Sequence, residues 1–287
     1  MYRVAILGCE NSHANTFLDL IANGEFEGVE VVGIYSDEDE NAEKLCQQYG
    51  VKRMKSYDEA VGEVDGVIIT ARHGANHYKY AKPYIASGVP MFIDKPITVD
   101  PDEAVEFMRE ARAHGVRLCG GSVLPITQDA KEFVTRVKTH EDGLFGGNLV
   151  CPLHSNDKYG GFYFYSQHLA QLMTSIFGGE VESVFARRNS PDNVHFIANY
   201  RDFSVTATYG PMNYYIVDAY FGKGAEHQQI TFKREDWHAE LAEFYHLLTG
   251  GEMEVSYDEF INPVFILNAI EQSFVTQSTV KVARKTV

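Results

Sequence analysis

Apolar runs alternate with amphipathic segments from the start of the chain to Gly121. Such runs indicate strands of a parallel sheet, because both faces of that sheet are buried. We predict strands at residues 2–7, 29–35, 65–70, 89–93 and 116–119. The intervening segments have apolar residues at helical spacing, which predicts helices at 12–22, 40–49, 75–86 and 102–114. Strands that alternate with helices predict right-handed βαβ units and therefore a doubly wound parallel sheet.

Local signals mark where several of these helices begin and end. Ser12 is a predicted N-cap, since its hydroxyl can accept from the free N–H groups of a first turn. Gly50 is a predicted C-cap, because glycine adopts the left-handed conformation without strain. Pro101 suits a first helical turn, where the N–H that proline lacks has no helical partner.

The pattern changes after Gly120-Gly121, which predicts a dinucleotide-binding domain at residues 1–121 and a second domain at 122–287. Residues 182–231 are rich in β-branched and aromatic residues and are interrupted by turn signals, which predicts an antiparallel meander with one buried face. Helices are predicted at about 130–138, 236–248 and 257–274. The last two share an apolar stripe of Leu241, Phe244, Leu248, Phe260, Val264 and Leu267. We therefore expect an α/β chain whose second domain is α+β with an open, mainly antiparallel sheet.

Composition narrows the function. The formal net charge of -15 argues against nucleic acid as a partner, since a phosphate backbone is bound by Lys and Arg. No apolar run is long enough to span a bilayer, so we expect no membrane partner. The four cysteines lie far apart without the spacing of a metal site, which favours a reduced, cytoplasmic protein without a metal.

The run Val89–Pro96 contains the most informative residues. Its apolar part ends in Asp94-Lys95-Pro96, and the proline stops the strand because it cannot donate to the ladder. Ligands of open α/β sheets bind at the carboxyl ends of the strands. Lys95 is therefore a candidate to direct its ammonium into a cleft.

An ordered set of motifs resembles the Gfo/Idh/MocA family of nicotinamide-dependent sugar and polyol oxidoreductases. The motifs are Asp94-Lys95-Pro96, Asp65-Gly66-Val67-Ile68-Ile69-Thr70 with His77, Gly160-Gly161 with His168, and Asn268-Ala269-Ile270-Glu271-Gln272-Ser273. Gly8-Cys9-Glu10-Asn11-Ser12-His13 is similar to a narrower branch with a Gly-x-Asp-Thr-Ser-His loop. The resemblance spans the chain and implies a Rossmann domain joined to an α/β domain with an open sheet.

The first loop departs from the usual G-x-G-x-x-G/A fingerprint. Gly8 is its first glycine, but Glu10 and His13 replace the second and third. A carboxylate beside a pyrophosphate is repelled, by about 1 kcal/mol per charge pair at about 4 Å in a water-like dielectric. Glu10 therefore points away, or the cofactor sits differently, or the loop binds none. Ser12 and the helix amides can still bind an anion.

The resemblance implies NAD as the cofactor, and the end of the second strand favours NAD over NADP. Ser36-Asp37-Glu38-Asp39-Glu40 offers carboxylates and no nearby cation. A carboxylate accepts a ribose hydroxyl but repels a 2′-phosphate. Ser36, rather than Asp37, occupies the usual acidic position of the family. The predicted cofactor-binding residues are Gly8, Asn11, Ser12, His13, Ser36, Asp37, Thr70, Arg72, His77 and Asp94.

The predicted catalytic residues are Lys95, His168 and Tyr165. Oxidation of an alcohol removes a proton as hydride leaves, and histidine is a suitable base near neutral pH. The family often has an aspartate four residues before this histidine, where this chain has Phe164. Tyr165 precedes His168 by one helical turn and can share the proton transfer. His154, Asn156 and Lys158 precede Gly160-Gly161 and are predicted to contact the substrate.

Three functions fit the sequence. They are a dehydrogenase acting on a sugar, inositol-like or other polyol substrate, a lyase or glycosidase that uses transient oxidation, and a non-catalytic sensor. We also expect a homodimer or homotetramer, because helices cover only one side of the second sheet and its other face needs a partner. Candidate residues for that face are Tyr209, Tyr214, Tyr215 and Tyr220.

Overall fold

A parallel sheet forms the first half of the molecule in a computed structural model that describes residues 1–287. Its strands are β1 (Tyr2–Leu7), β2 (Val29–Tyr35), β3 (Gly66–Ile69), β4 (Met91–Asp94) and β5 (Leu118–Gly121). Their order is β2-β1-β3-β4-β5, and all neighbouring pairs are parallel. The predicted Rossmann arrangement is confirmed.

Helices cover both faces of this sheet. They are α1 (Ser12–Ala22), α2 (Asp39–Tyr49), α3 (Ala75–Ile85) and α4 (Pro101–Ala113). Alternate strand residues face opposite cores, so Val4 and Ile6 pack with α1 and α2, whereas Ala5 and Leu7 pack with α3 and α4. The predicted cap Ser12 is wrong by one residue. Asn11 caps α1, because its Oδ1 accepts from the N–H groups of His13 and Ala14.

A second sheet follows the short 3-10 helix Leu124–Ile126 and helix α5 (Gln128–Thr139). Its strands are β6 (Leu144–Pro152), β7 (Ser183–Ser190), β8 (Asn193–Asn199), β9 (Ser204–Gly210), β10 (Tyr215–Phe221), β11 (Gly224–Ile230) and β12 (Val280–Lys281). The order is β11-β10-β6-β9-β8-β7-β12, with β6 and β9 parallel and the other pairs antiparallel. The open, mainly antiparallel sheet is confirmed, and β6 is an unpredicted central strand.

Three further helices connect the two halves. They are α6 (Tyr163–Phe177), α7 (Arg234–Leu248) and α8 (Tyr257–Thr276). The predicted apolar stripe of α7 and α8 is buried. Although α7 lies within the second domain in sequence, its Leu241 and Phe244 pack in the core of α1 and the first sheet. No helix combines the length and apolarity needed to cross a bilayer.

The outer face of the second sheet is open to solvent. Phe145 is 58% exposed, Phe185 is 42% exposed and Ile197 is 40% exposed. Two of the tyrosines predicted for this face lie elsewhere. Tyr209 is buried and its hydroxyl donates to the Ser166 carbonyl of α6, and Tyr215 is also buried, because the strand alternation turns both toward the helices.

Candidate active site

Lys95 lies where the carboxyl edge of the first sheet meets α6. It follows β4 directly, and its side chain is buried. Its Nζ lies 5.3 Å from the ring centre of Phe164 and 5.6 Å from that of Tyr165. Phe164, which takes the place of the family's aspartate, therefore contacts the ammonium through its π face rather than through a carboxylate.

His168 and Tyr165 lie one turn apart on the same side of α6, with ring centres 4.6 Å apart. Nδ1 of His168 lies 2.7 Å from the Oγ of Ser122, which follows β5. The hydroxyl of Tyr165 lies 3.2 Å from that of Tyr215 on β10. Lys95, His168 and Tyr165 all line one cleft of about 370 Å³, so the structure brings the three predicted catalytic residues together.

Two glutamines hold α6 against the first sheet. Oε1 of Gln167, which is fully buried, accepts from the N–H of Ile97 at 2.9 Å. Oε1 of Gln171 accepts from the N–H of Ser122 at 2.8 Å. These bonds fix His168 relative to the segments that follow β4 and β5, which gives the cleft a rigid wall between the two domains.

The surroundings of His168 keep its imidazole neutral. Burial lowers its pKa well below the ordinary value of 6.5, and the charge of Lys95 lowers it further. Tyr165 is kept protonated, since burial raises the pKa of its hydroxyl. A neutral imidazole beside a cationic lysine can accept a proton from a hydroxyl bound between them.

His13 has the opposite charge state to His168. Its Nδ1 lies 3.3 Å from Asp94 Oδ2 and its Nε2 lies 3.3 Å from Glu240 Oε2 on α7. Burial by itself lowers the pKa of His13, but the carboxylates of Asp94 and Glu240 outweigh it and raise the pKa to about 10. The ring is therefore an imidazolium at neutral pH, and it links α1, β4 and α7.

Asp94 is also a buried organising centre. Its Oδ2 accepts from Asn11 Nδ2 at 2.6 Å, and its Oδ1 accepts from the N–H of Lys95 at 2.7 Å. Burial opposes its ionisation, yet His13 and Lys95 hold the pKa of this carboxyl well below its usual range. The aspartate therefore fixes the first loop and the start of the Lys95 segment rather than facing the cleft.

The first loop has the features of an anion site. Gly8 has φ +93°, and a Cβ there would lie 2.2 Å from the backbone N of Ala71, so only glycine fits. Thr70 donates from Oγ1 to the Gly8 carbonyl at 2.5 Å and so fixes the turn. The backbone N–H groups of Glu10, Asn11 and Ser12 make no hydrogen bond within the protein. Free amides at the N-terminus of an eleven-residue helix attract an anion.

The Glu10 side chain extends toward the end of β2. Its Oε1 accepts from Ser36 Oγ at 2.5 Å, and its Oε2 is buried without a hydrogen-bond partner. Of the three arrangements that the sequence left open, the structure thus shows the first, in which Glu10 points away from the position of a pyrophosphate. A cation is also present near this point, contrary to the sequence interpretation, because Arg53 donates from Nη2 to the Ser36 carbonyl at 2.8 Å.

Arg72 and His77, which follow β3, have different positions. Arg72 lines the cleft, with its guanidinium 4.8 Å from the ring centre of Tyr159 and 5.2 Å from that of Phe164. Its Nε is buried without a partner. His77 is fully buried, and its Nε2 bonds to the Ala71 carbonyl at 2.8 Å. His77 therefore supports the loop from behind and does not line the cleft.

The predicted substrate residues do not converge as a group. His154 is exposed, and its ring packs edge-on against Tyr165 with centres 5.3 Å apart. Asn156 caps the short 3-10 helix 157–159 by accepting from the N–H of Lys158. Lys158 forms an ion pair with Glu38 Oε1 at 2.7 Å, which joins the two domains. Neither Asn156 nor Lys158 lines the cleft.

The structure adds residues that sequence reasoning missed. Ser122 follows the Gly120-Gly121 pair at the edge where β5 ends, and that position was its available signal. Glu240 is an acid on the apolar stripe of α7, four residues before Phe244, and it is only 1% exposed. Tyr215 and Trp237 line the cleft but have no distinguishing sequence signal.

A larger cleft of about 480 Å³ lies between α5, α6, α7 and α8 and contains none of the predicted site residues. The smaller cleft is the candidate active site, because Lys95, His168, Tyr165 and the first loop all line that one.

Comparison with solved structures supports the fold over the full length. The scyllo-inositol dehydrogenase from Lactobacillus casei, solved with bound NAD(H) and scyllo-inositol, has a TM-score of 0.84 at 14% identity, covering 99% of each chain. The myo-inositol 2-dehydrogenase from Lactobacillus plantarum has a TM-score of 0.84 at 15% identity, covering 98% of this chain and 99% of that one. GenD2 from gentamicin A biosynthesis, solved with NAD, has a TM-score of 0.85 at 14% identity, covering 98% and 96%. At these identities the likeness shows the fold alone.

Sequence comparison identifies the first domain. No curated protein matches the chain. Residues 2–122 match the model of an oxidoreductase family with an NAD-binding Rossmann fold. This match covers all five parallel strands and includes the first loop, Lys95 and Ser122. Residues 2–122 are therefore similar to the NAD-binding Rossmann domain of the Gfo/Idh/MocA oxidoreductases, in agreement with the resemblance that the sequence motifs carry.

Proposed function

We propose that the protein is an NAD-dependent dehydrogenase that transfers hydride between the nicotinamide and a hydroxyl-bearing carbon of a polyol or sugar. The observation that supports this most strongly is the grouping of Lys95, His168 and Tyr165 in one cleft with the first loop. These groups come from separate domains, and their shared cleft is what a reaction between a nucleotide and a small substrate requires.

The first loop fits NAD. Its three free amides at the start of α1 suit a pyrophosphate, and the Glu10 carboxylate is bonded to Ser36. Asn11 would keep the loop in place, because its side chain caps α1 and donates to Asp94. NAD, when bound, supplies the hydride acceptor or donor, and the remaining steps belong to side chains of the protein.

Proton transfer would take place at Nε2 of His168. Its Nδ1 is engaged by Ser122, so the other ring nitrogen is the one available for a substrate hydroxyl. The tautomer that acts as a base has Nδ1–H donating to Ser122 Oγ, which leaves the lone pair on Nε2. Lys95 would donate to the same substrate oxygen and stabilise the negative charge that develops there as the proton leaves.

The cleft and the solved structures of similar fold support a polyol or sugar as the substrate class. A volume of about 370 Å³ accommodates a molecule of monosaccharide size. Its lining is mixed, with aromatic rings beside polar groups such as Arg72 and Lys95, and this suits a ring that carries several hydroxyls. Two solved neighbours of the same fold are named as inositol dehydrogenases, which makes cyclic polyols the first compounds to test.

The test is NADH formation from NAD with a panel of inositols, aldoses and linear polyols, together with NADH binding by fluorescence titration. We expect at least one cyclic polyol or sugar to be oxidised. Lys95→Ala and His168→Ala should abolish turnover while NADH binding is retained. His195→Ala is the matched control, since His195 is exposed on the outer face of the second sheet.

Three outcomes would change the proposal. NADH binding without turnover of any compound would favour the sensor function. Elimination or glycoside cleavage that needs catalytic NAD would favour the lyase or glycosidase function. If only one of the two variants loses activity, the base must be reassigned, and Tyr165 is the next candidate because its ring adjoins that of His168.

A further inference from the structure

The first carboxylate after β2, Asp37, is already engaged. Its Oδ1 accepts from the hydroxyl of Tyr35 at 2.5 Å, and its Oδ2 accepts from the hydroxyl of Tyr80 at 2.6 Å. Both oxygens therefore have strong donors of their own. A ligand hydroxyl would have to share a carboxylate oxygen with a tyrosine to bind Asp37, which reduces the gain from that contact.

The next two acids are engaged as well. Glu38 Oε1 pairs with Lys158 Nζ at 2.7 Å and accepts from the hydroxyl of Tyr159 at 2.8 Å. Asp39 Oδ1 pairs with Arg53 Nη2 at 2.9 Å. Asp37, Glu38 and Asp39 thus all have partners within the protein.

Glu10, in the first loop, also supplies a carboxylate at the end of β2. Ser36, the residue at the usual acidic position, is 3% exposed and donates from Oγ to Glu10 Oε1 at 2.5 Å. The same Oγ accepts from the N–H of Glu38 at 3.1 Å, so its proton is left to point at Glu10. Glu10 Oε2 is buried and has no partner, and such an oxygen costs free energy until a donor is supplied.

We propose that Glu10 recognises the adenosine ribose hydroxyls of NAD, in place of the acid that ends β2 in related Rossmann domains, and that Ser36 orients it. This inference rests on the proposed function, because it assumes that the cleft binds NAD. It reverses the expectation that a carboxylate in the first loop merely repels the cofactor. The Glu10 carboxylate is bonded to Ser36 and is thus directed at the end of β2, whereas the free amides that suit the pyrophosphate belong to the backbone of the first loop.

Glu10 also gives a reason for discrimination against NADP. A carboxylate accepts hydrogen bonds from a ribose 2′-hydroxyl but repels a 2′-phosphate, and the repulsion grows as water is excluded. Arg53 lies beside the end of β2, where it donates to the Ser36 carbonyl, and its Nη1 is buried without a partner. If Arg53 rather than Glu10 determined the choice of cofactor, the protein would prefer NADPH.

The experiment measures the dissociation constants of NADH, NADPH and 2′-deoxyadenosine NADH by calorimetry for the wild type and for Glu10→Gln. We expect Glu10→Gln to bind NADH about tenfold more weakly, the loss expected for one charge-assisted hydrogen bond, and to lose most of its preference over NADPH. Removal of the 2′-hydroxyl should weaken binding to the wild type but have little effect on the variant. Ser36→Ala should show a smaller loss of the same kind.

Two variants serve as controls. Glu40→Gln removes one negative charge from an exposed position on α2 and should leave all three constants unchanged. Asp37→Asn tests the competing carboxylate. Circular dichroism establishes that each variant is folded, and Ser36→Ala keeps the inference testable if Glu10→Gln does not fold.

The outcomes separate this inference from the proposed function. A wild type that binds neither nucleotide overturns both. A wild type that binds NADH, with Glu10→Gln equally tight and equally selective, overturns the role of Glu10 alone. The role of Glu10 is also overturned if the wild type binds NADPH more tightly than NADH. The same holds if only Asp37→Asn loses affinity for NADH.

Discussion

Two buried histidines near one cleft have opposite charge states, and their neighbours explain why. His13 lies between two carboxylates, which raise its pKa to about 10 against the effect of burial. His168 has no carboxylate partner, because Phe164 stands one turn before it and Lys95 adds a positive charge. One ring is therefore a fixed cation that organises the protein, and the other is a neutral group suited to proton transfer.

Ser122 should determine which nitrogen of His168 is the base. If Nδ1–H donates to Ser122 Oγ, Ser122→Ala removes that partner and frees the other tautomer. We expect kcat to fall about tenfold, equivalent to one hydrogen bond, with little change in NADH affinity. Steady-state kinetics on the best polyol measures this. Ser175→Ala is the control, since Ser175 lies on α6, the helix of His168, but outside the cleft that contains His168. An unchanged kcat would show that Ser122 does not select the tautomer.

The sequence could identify those site residues that lie in local motifs. Lys95, Gly8 and His168 could be found because each follows a strand or a glycine turn with a recognisable pattern. Ser122 and Glu240 had only their positions as a signal and Tyr215 had none, because their contacts join segments far apart in the chain. Tyr215, for example, meets Tyr165 only once β10 pairs with β6.

At the scale of elements, periodicity predicted the parallel strands and the helices other than α6, and it failed at β6. That strand contains Gly146, Gly147 and Asn148, which have low strand propensity, and it ends at Pro152. It is nevertheless central, because β9 and β10 pair with it on either side. Tertiary pairing therefore overrides local propensity here, which a single sequence does not reveal.

The contact between α1, β4 and α7 should make stability depend on pH. The folded pKa of His13, about 10, exceeds the ordinary 6.5, so the stabilisation is complete below about pH 6.5 and is lost as the pH rises toward 10. His13→Gln leaves Asp94 and Glu240 without their cation. We expect the free energy of unfolding to fall by about 3–5 kcal/mol near neutral pH, the usual cost of breaking a buried pair.

Urea unfolding of wild type and His13→Gln at several pH values measures this difference. It should shrink as the pH rises from about 6.5 to about 10, because the wild type then loses its own imidazolium. His195→Gln is the control, since His195 is exposed on β8. A difference that stays constant across this range would mean that His13 contributes packing rather than charge.

At the scale of the whole molecule, the two sheets differ in how they are covered. Helices shield both faces of the first sheet, whereas α5, α6 and α8 pack on one face of the second. The uncovered face carries apolar side chains among polar ones, including Phe145 near Tyr220 and Phe185 paired directly with Ile197. An exposed sheet face with aromatic residues is typical of a surface that binds another protein chain.

We therefore predict that the protein forms a homo-oligomer through this face. Light scattering at micromolar concentration should give a dimer or tetramer for the wild type. Phe185→Glu with Ile197→Glu places two carboxylates on a cross-strand pair in the contact, where burial of unpaired charge is unfavourable, and should yield monomers that remain folded. Val275→Glu is the control, because Val275 is 70% exposed on α8, away from this sheet face. A monomeric wild type would exclude the oligomer, and an oligomeric double variant would move the interface to another surface.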